Sequence, residues 1–159
     1  MSYIPTPNQA LELVRQYNHE EFHLHHAKTV GWVLGYLSKT HDPGREAYWQ
    51  TVGILHDIDF EQWPQEHCKK AQTLLQELDV DEGVIHGVVS HAWGTCSDVK
   101  PESLMEQYLF ADDELEFDPG ILPGVYKVHS AGDMTRMRAF QNGLFTIQGE
   151  SSVLAARMV

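Results

Sequence analysis

Ten of the 159 residues are histidine and only two are cysteine. His56 is followed directly by Asp57, which sets a ring nitrogen and a carboxylate side by side. Those are suitable donors for Zn, Mn or Fe. A metal site inside a helical protein needs such groups on inward faces, and helical spacing of about 100° per residue tests this. Val30, Val33, Leu34 and Leu37 define one apolar stripe, and His26 falls within it, as do His23 and His19 one and two turns earlier. Tyr48, Trp49, Val52 and Leu55 define a second stripe, which carries His56. His67 lies on the side of Ala71, Leu74 and Leu78, and His91 lies at the edge of the stripe Val84, Ile85, Val88, Val89 and Ala92. His25 and His86 point away from their stripes.

A buried imidazole needs a hydrogen-bond partner or a metal. For any one of these residues a hydrogen-bonded core histidine is the default. Their joint occurrence on several helices points to metal binding. The triplet His19, His23 and His26 along one helix is a rival ligand set, with a solvated N-terminal stripe as its alternative. Cys68 and Cys96 are far apart in sequence and share no motif. Cys68 is expected to be a buried small apolar residue and Cys96 an exposed thiol. Trp32, Trp49, Trp63 and Trp93 are expected to pack the core.

Helices must position these groups. From residue 8 to about 115 the apolar spacing is mostly helical. Asn8 can cap a first helix carrying Ala10, Leu11, Leu13 and Val14. A second runs from about Glu20 to Lys39 and stops near Asp42-Pro43-Gly44, and a third runs from about Arg45 to His56. A fourth begins near Trp63-Pro64 and continues through Ala71, Leu74, Leu75 and Leu78. Asp81 can cap a fifth, which ends near Trp93-Gly94, and Lys100-Pro101-Glu102-Ser103 opens a sixth. Gly31 and Gly35 lie inside the second helix and read as a site of close helix packing. Beyond residue 115 the pattern is mixed, with short strands expected around Gly124–His129 and Gly143–Gln148.

The formal charge is -12. From Glu116 onward four acids balance four bases, so residues 1–115 carry all of it. An acidic body argues against a nucleic-acid surface, because phosphate contacts need a basic patch. A phosphorylated ligand would have to be attracted by a bound metal instead. Lys28, Lys69, Lys70 and Lys100 are the cations available, and there is no glycine-rich phosphate loop. No stretch approaches the roughly 18 apolar residues of a membrane span. The opening MSYIPTPNQA has neither a basic segment nor an apolar run, so a cytoplasmic location with reduced thiols is expected.

The stretches HHAKTVGWVLGYL, VGILHDIDFEQWPQEHCKKAQTLL, VIHGVVSHAWG and MEQYLFADDEL cover about residues 20–115. With the order His26, His56-Asp57 and a late Asp, they resemble the HD-domain (HDIG-type) metal-dependent phosphohydrolases, in wording closest to a small bacterial single-domain subgroup. The resemblance implies an all-α HD-domain bundle over residues 1–115 with a metal held between helices, and a C-terminal extension over 116–159. It implies His26, His56, Asp57 and Asp113 as core ligands. Helical spacing places Asp112 and Asp113 almost equally well; the family's LFA-x-DEL pattern selects Asp113. Relatives with two metals add His ligands at positions matching His67 and His91, with Asp57 bridging. Many relatives carry Gly where this chain has Asp59, which is read as solvating the loop, with orientation of a ligand as the alternative. After Leu115 relatives continue with Thr-Gly and a small-residue helix, whereas this chain reads Glu116-Phe117-Asp118-Pro119.

The expected function is therefore hydrolysis of a phosphate ester or anhydride in a small, nucleotide-like molecule. One or two divalent ions (Mn, Fe, Zn, Mg or Ni) would activate a water; His56 and Asp57 would be central to catalysis, His56 holding the metal and Asp57 holding it and also able to accept a proton from the water. Two alternatives follow from the same residues. One is a non-catalytic metal-binding domain with an altered C-terminus. The other is a di-iron oxygenase of the same superfamily.

Overall fold

The structure, a computed structural model, describes residues 2–112, 116–119 and 126–129. These residues are mostly helical, in keeping with the all-α class. The helices are α1 (Pro7–Tyr17), α2 (Glu21–His41), α3 (Glu46–Leu55), α4 (Lys69–Glu77), α5 (Glu82–Ser90) and α6 (Leu104–Asp112), with a 3-10 turn at Pro64–Glu66. The chain divides into two units, Met1–Phe110 and Ala111–Val159. In the second, β1 (Glu116–Pro119) pairs antiparallel with β2 (Tyr126–His129), with Glu116 opposite His129 and Pro119 opposite Tyr126. β2 falls within the expected Gly124–His129 strand, whereas Gly143–Gln148 lies outside the described residues. No helix among the described residues is long and apolar enough to cross a membrane.

Thr6, not Asn8, caps α1. Its hydroxyl accepts the Gln9 amide at 3.3 Å, and the Gln9 side chain accepts the Thr6 amide at 2.9 Å. Pro7 suits the first helical position, so this reciprocal box starts the helix two residues earlier than an Asn8 cap would. Asp81 caps α5 as expected, its carboxylate accepting the Gly83 amide at 2.9 Å.

α3 is a buried helix, as is α5. Trp49 and every residue from Thr51 to Leu55 are buried, which is the pattern of a helix packed on most of its surface. The Thr51 hydroxyl is satisfied by donating to the Pro5 carbonyl at 2.9 Å. α2 lies close against α3 because glycine meets glycine. A Cβ built on Gly53 would stand 2.9 Å from the Gly31 Cα, and one on Gly31 would stand 2.9 Å from the Gln50 carbonyl. That approach sets the spacing between His26 on α2 and His56 just past α3.

The continuous fourth helix does not form. The 3-10 turn ends at Glu66, and Cys68 adopts φ 65°, ψ −45°, a γ-turn in which the Lys69 amide donates to the His67 carbonyl at 2.8 Å and helical hydrogen bonding is broken. α4 starts afresh at Lys69, and α5 stops at Ser90, three residues short of Trp93. Of the four tryptophans only Trp49 is a core residue, and Trp63 is half-buried. Trp32 is exposed on α2 and stacks on Tyr36 with centroids 5.8 Å apart, and Trp93 is exposed near Phe110.

Candidate metal centre

Four histidines and one aspartate meet in the first unit. His26 comes from the second turn of α2, His56 and His91 from the C-caps of α3 and α5, and His67 from the break before α4. His56 and His91 keep helical backbone angles beyond their helices, so both rings project as one more turn of helix would direct them.

Asp57 divides the cluster. Its Oδ2 lies 3.2 Å from His56 Nε2 and 3.4 Å from His26 Nε2, and those two nitrogens are 3.1 Å apart. Its Oδ1 lies 3.4 Å from His67 Nε2 and 3.6 Å from His91 Nε2, and those nitrogens are also 3.1 Å apart. There are thus two trios, each with its own Asp57 oxygen. Metal–nitrogen bonds of about 2.0–2.1 Å place neighbouring ligand atoms about 3.3 Å apart on a tetrahedron. The six observed separations bracket that value.

The hydrogen bonds behind the rings fix their tautomers. His56 Nδ1 donates to the Gly53 carbonyl at 2.7 Å, and His91 Nδ1 donates to the Val88 carbonyl. A carbonyl only accepts, so each Nδ1 holds a proton, which leaves Nε2 as the inward-facing nitrogen that a neutral ring would offer to a metal. His67 Nδ1 faces a carboxylate, Asp59 Oδ1, at 2.7 Å and donates likewise. In their neutral forms the three rings can each turn an Nε2 lone pair toward a cation beside the Asp57 carboxylate. These residues are positioned to hold a metal ion.

Burial alone would raise the Asp57 pKa. Charge on His56 and hydrogen bonds from His26 and His56 outweigh it and hold the carboxyl well below the usual carboxylate range. Burial alone would lower the His67 pKa, but its bond to Asp59 and the charges of Asp57 and Asp59 raise it overall. His56 and His91 are buried, whereas the side chains of His26 and Asp57 are 30% and 19% exposed. Solvent therefore reaches the cluster from the His26–Asp57 side.

The structure brings together five of the six expected ligands; the sixth, Asp113, lies outside the described residues. The rival triplet is not assembled. His19 precedes α2 and is exposed, and His23 turns toward Glu20 and Phe60, so only His26 of the three joins a ligand group. His86 is half-exposed rather than fully outward, with its Nδ1 2.7 Å from Glu106 Oε1. Cys68 and Cys96, distant in sequence, are close in space: their sulfurs and one His67 nitrogen lie within 4.8 Å of one another.

Asp59 corrects the expectation of a solvated loop acid. It is fully buried, and while Oδ1 takes the His67 ring, Oδ2 accepts the Ala71 amide at 2.8 Å. Ala71 is the third residue of α4, where the amide lacks an intrahelical partner. Cys68 makes no side-chain cap there, so Asp59 supplies it from across the loop. Two further supports have no sequence signal of the ligand kind. Asn18 Nδ2 donates to the Ile58 carbonyl at 2.8 Å, and Glu61 Oε2 accepts the amides of His19 and Glu20 ahead of α2. Asn18, the C-cap of α1, ties the segment after His56 to the end of α1, and Glu61 ties it to the start of α2, the helix that carries His26.

No family model, curated protein or solved structure matches the chain.

Proposed function

We propose that the chain is a metal-dependent phosphohydrolase of the HD-domain kind, acting on a small phosphorylated, nucleotide-like molecule. The observation that carries this reading is the pair of trios sharing Asp57, one carboxylate oxygen to each. His26, His56 and Asp57 would hold one divalent ion, with Asp113 as the further ligand that the resemblance implies. Asp57, His67 and His91 would hold a second.

A bound divalent ion supplies Lewis acidity, lowering the pKa of a water and polarising a phosphoryl oxygen. The chain supplies the rest. Asp57 stays ionised at neutral pH, which suits it to hold cations at both oxygens rather than to accept a proton. His56 and His91 are held rigidly by the carbonyls of their own helices. The exposed edge of His26 and Asp57 leaves a side from which substrate and water approach. Lys70 lies over the Trp63 ring and Lys100 over the Trp93 ring, so neither cation is aimed at the cluster by its own packing. In an acidic body phosphate attraction is assigned to the metal.

The test is chelation followed by return of Mn, Fe, Zn, Mg or Ni, assayed against nucleotides, cyclic dinucleotides and dinucleoside polyphosphates. Metal-dependent product release, lost in His56→Ala and Asp57→Ala, is the expected result. Bound metal without turnover across the panel would favour the non-catalytic alternative. The second trio also offers the ligands a di-iron oxygenase would need, and iron content with oxygen uptake separates that chemistry from hydrolysis.

A further inference from the structure

We propose that Cys68 and Cys96 form a reversible disulfide that joins the segment carrying His67 to the loop that follows His91. Both are thiols in the structure, and their sulfurs lie within 4.8 Å of one another. A disulfide needs about 2.05 Å between sulfurs, so less than about 3 Å of movement closes it.

One cysteine is accessible and the other is enclosed. Cys96 is exposed in the loop after α5, where the amides of Thr95, Cys96 and Ser97 all share the Ala92 carbonyl at 3.1–3.2 Å. Gly94 turns that loop at φ 85°, and a Cβ there would meet nothing within 4 Å. Cys68 is buried, and its backbone is fixed between His67 and α4. The loop backbone is held by its bonds to the Ala92 carbonyl and by the Gly94 amide donating to the Ser97 carbonyl at 2.9 Å, so turning of the exposed Cys96 side chain closes the gap.

The neighbouring histidine does not make this pair a closed metal site. His67 Nδ1 is taken by Asp59, and its Nε2 faces Asp57 and His91. Two thiols alone are too few for a closed structural site, which takes four ligands. A dithiol with one exposed and one buried sulfur is instead the arrangement of an oxidisable pair with a resolving partner.

The chemistry with a peroxide is balanced. The Cys96 sulfur attacks one peroxide oxygen, the O–O bond breaks, and Cys96 becomes a sulfenic acid with release of one water. The Cys68 sulfur then attacks the sulfenic sulfur, the S–O bond breaks, and a second water leaves as the disulfide forms. Two thiols and one hydrogen peroxide thus give one disulfide and two waters. An external dithiol reverses the step by exchange.

The disulfide does not depend on the proposed hydrolase activity, and its readout is independent of turnover. The full-length chain, reduced and then treated with a small excess of hydrogen peroxide, is followed by intact mass and by thiol titration after unfolding. The expected result is loss of about 2 Da with both thiols gone, a cross-linked peptide pair holding Cys68 and Cys96, and full recovery with a dithiol. Cys68→Ser is expected to leave Cys96 as a sulfenic acid trapped by a dione reagent, and Cys96→Ser to show no 2 Da loss. Two thiols still titratable, or oxygen added to Cys96 alone in the wild-type chain, would overturn the proposal. So would bound zinc that shields both thiols from peroxide and is lost in Cys96→Ser.

Discussion

The buried Asp59 carboxylate spans from the His67 ring to the first turn of α4, 2.7 Å from His67 Nδ1 through one oxygen and 2.8 Å from the Ala71 amide through the other. One side chain therefore sets the tautomer of a candidate ligand and caps the helix that follows it. Asp59→Ala would orphan both donors, at about 1–3 kcal/mol each. Asp59→Asn keeps one acceptor and should cost less. Ligand-orienting partners of this kind are worth about 10–100-fold in metal affinity. Calorimetric titration with zinc should show that loss in Asp59→Asn, at the His67 half of the centre. Unchanged affinity in a folded variant would remove Asp59 from the site.

Gly31 and Gly35 are spaced alike in sequence but not in the fold. A Cβ on Gly31 would stand 2.5 Å from Ile54 Cγ1 and 2.9 Å from the Gln50 carbonyl, whereas the nearest atom to one on Gly35 is 3.4 Å away. Gly31→Ala should therefore force α2 off α3, at about 1–3 kcal/mol, and separate His26 from His56. Gly35→Ala fits in ordinary contact and gains helix propensity, worth up to about 1 kcal/mol. Thermal melts of the two variants should move in opposite directions. Equal destabilisation would mean that the helix contact is not where the glycines place it.

These two cases mark what was legible in the sequence. Inward faces of long helices follow from apolar spacing, so His26 and His56 are recognisable from α2 and α3 alone. His67 is inward for a different reason. Periodicity puts it on the inner side of one continuous helix, but the chain breaks at Cys68 and Asp59 holds the ring in place. Contacts across loops have no period, so the roles of Asp59, Asn18 and Glu61 leave no regular trace. An acid two residues after His-Asp is the one hint, and solvation explains it equally well until its burial is seen. The proximity of Cys68 and Cys96 is likewise a product of the α4–α5 packing rather than of spacing.

Glu106 gives the first unit an acid-sensitive joint. Its Oε2 accepts the Glu102 and Ser103 amides at 2.7 Å, the Ser103 hydroxyl accepts the Glu106 amide at 3.3 Å, and its Oε1 meets His86. Burial would raise its pKa, but the Ser103 amide and His86 together lower it overall. A carboxyl lowered on folding stabilises the fold above its unfolded pKa, about 4.3 for Glu. That contribution is lost as pH falls through the folded value. Glu106→Gln should cost about 1 kcal/mol near neutrality, the scale of a helix cap. Denaturant titrations should show the gap between wild type and variant closing as the pH drops below about 4. A constant gap across that range would show that the ionised form contributes nothing.

The division of Asp57 between two trios predicts a stepwise loss of metal. His91→Ala removes a ligand only from the Oδ1 side, and His26→Ala only from the Oδ2 side. Each should give up about one ion per chain under metal saturation, while Asp57→Ala gives up both, because it alone serves each group. The outcome is read as metal equivalents after gel filtration, with circular dichroism as the check on folding. His91→Ala should also keep the His26–His56 pair, whose nitrogens sit 3.1 Å apart without it. Asp57→Asn sharpens the comparison. It retains the shape of the side chain and removes the negative charge that draws cations to both halves, so its affinity should fall at both ions together. If His91→Ala and His26→Ala each emptied the whole centre, the two trios would be one site, and Asp57 would be an ordinary ligand rather than a bridge.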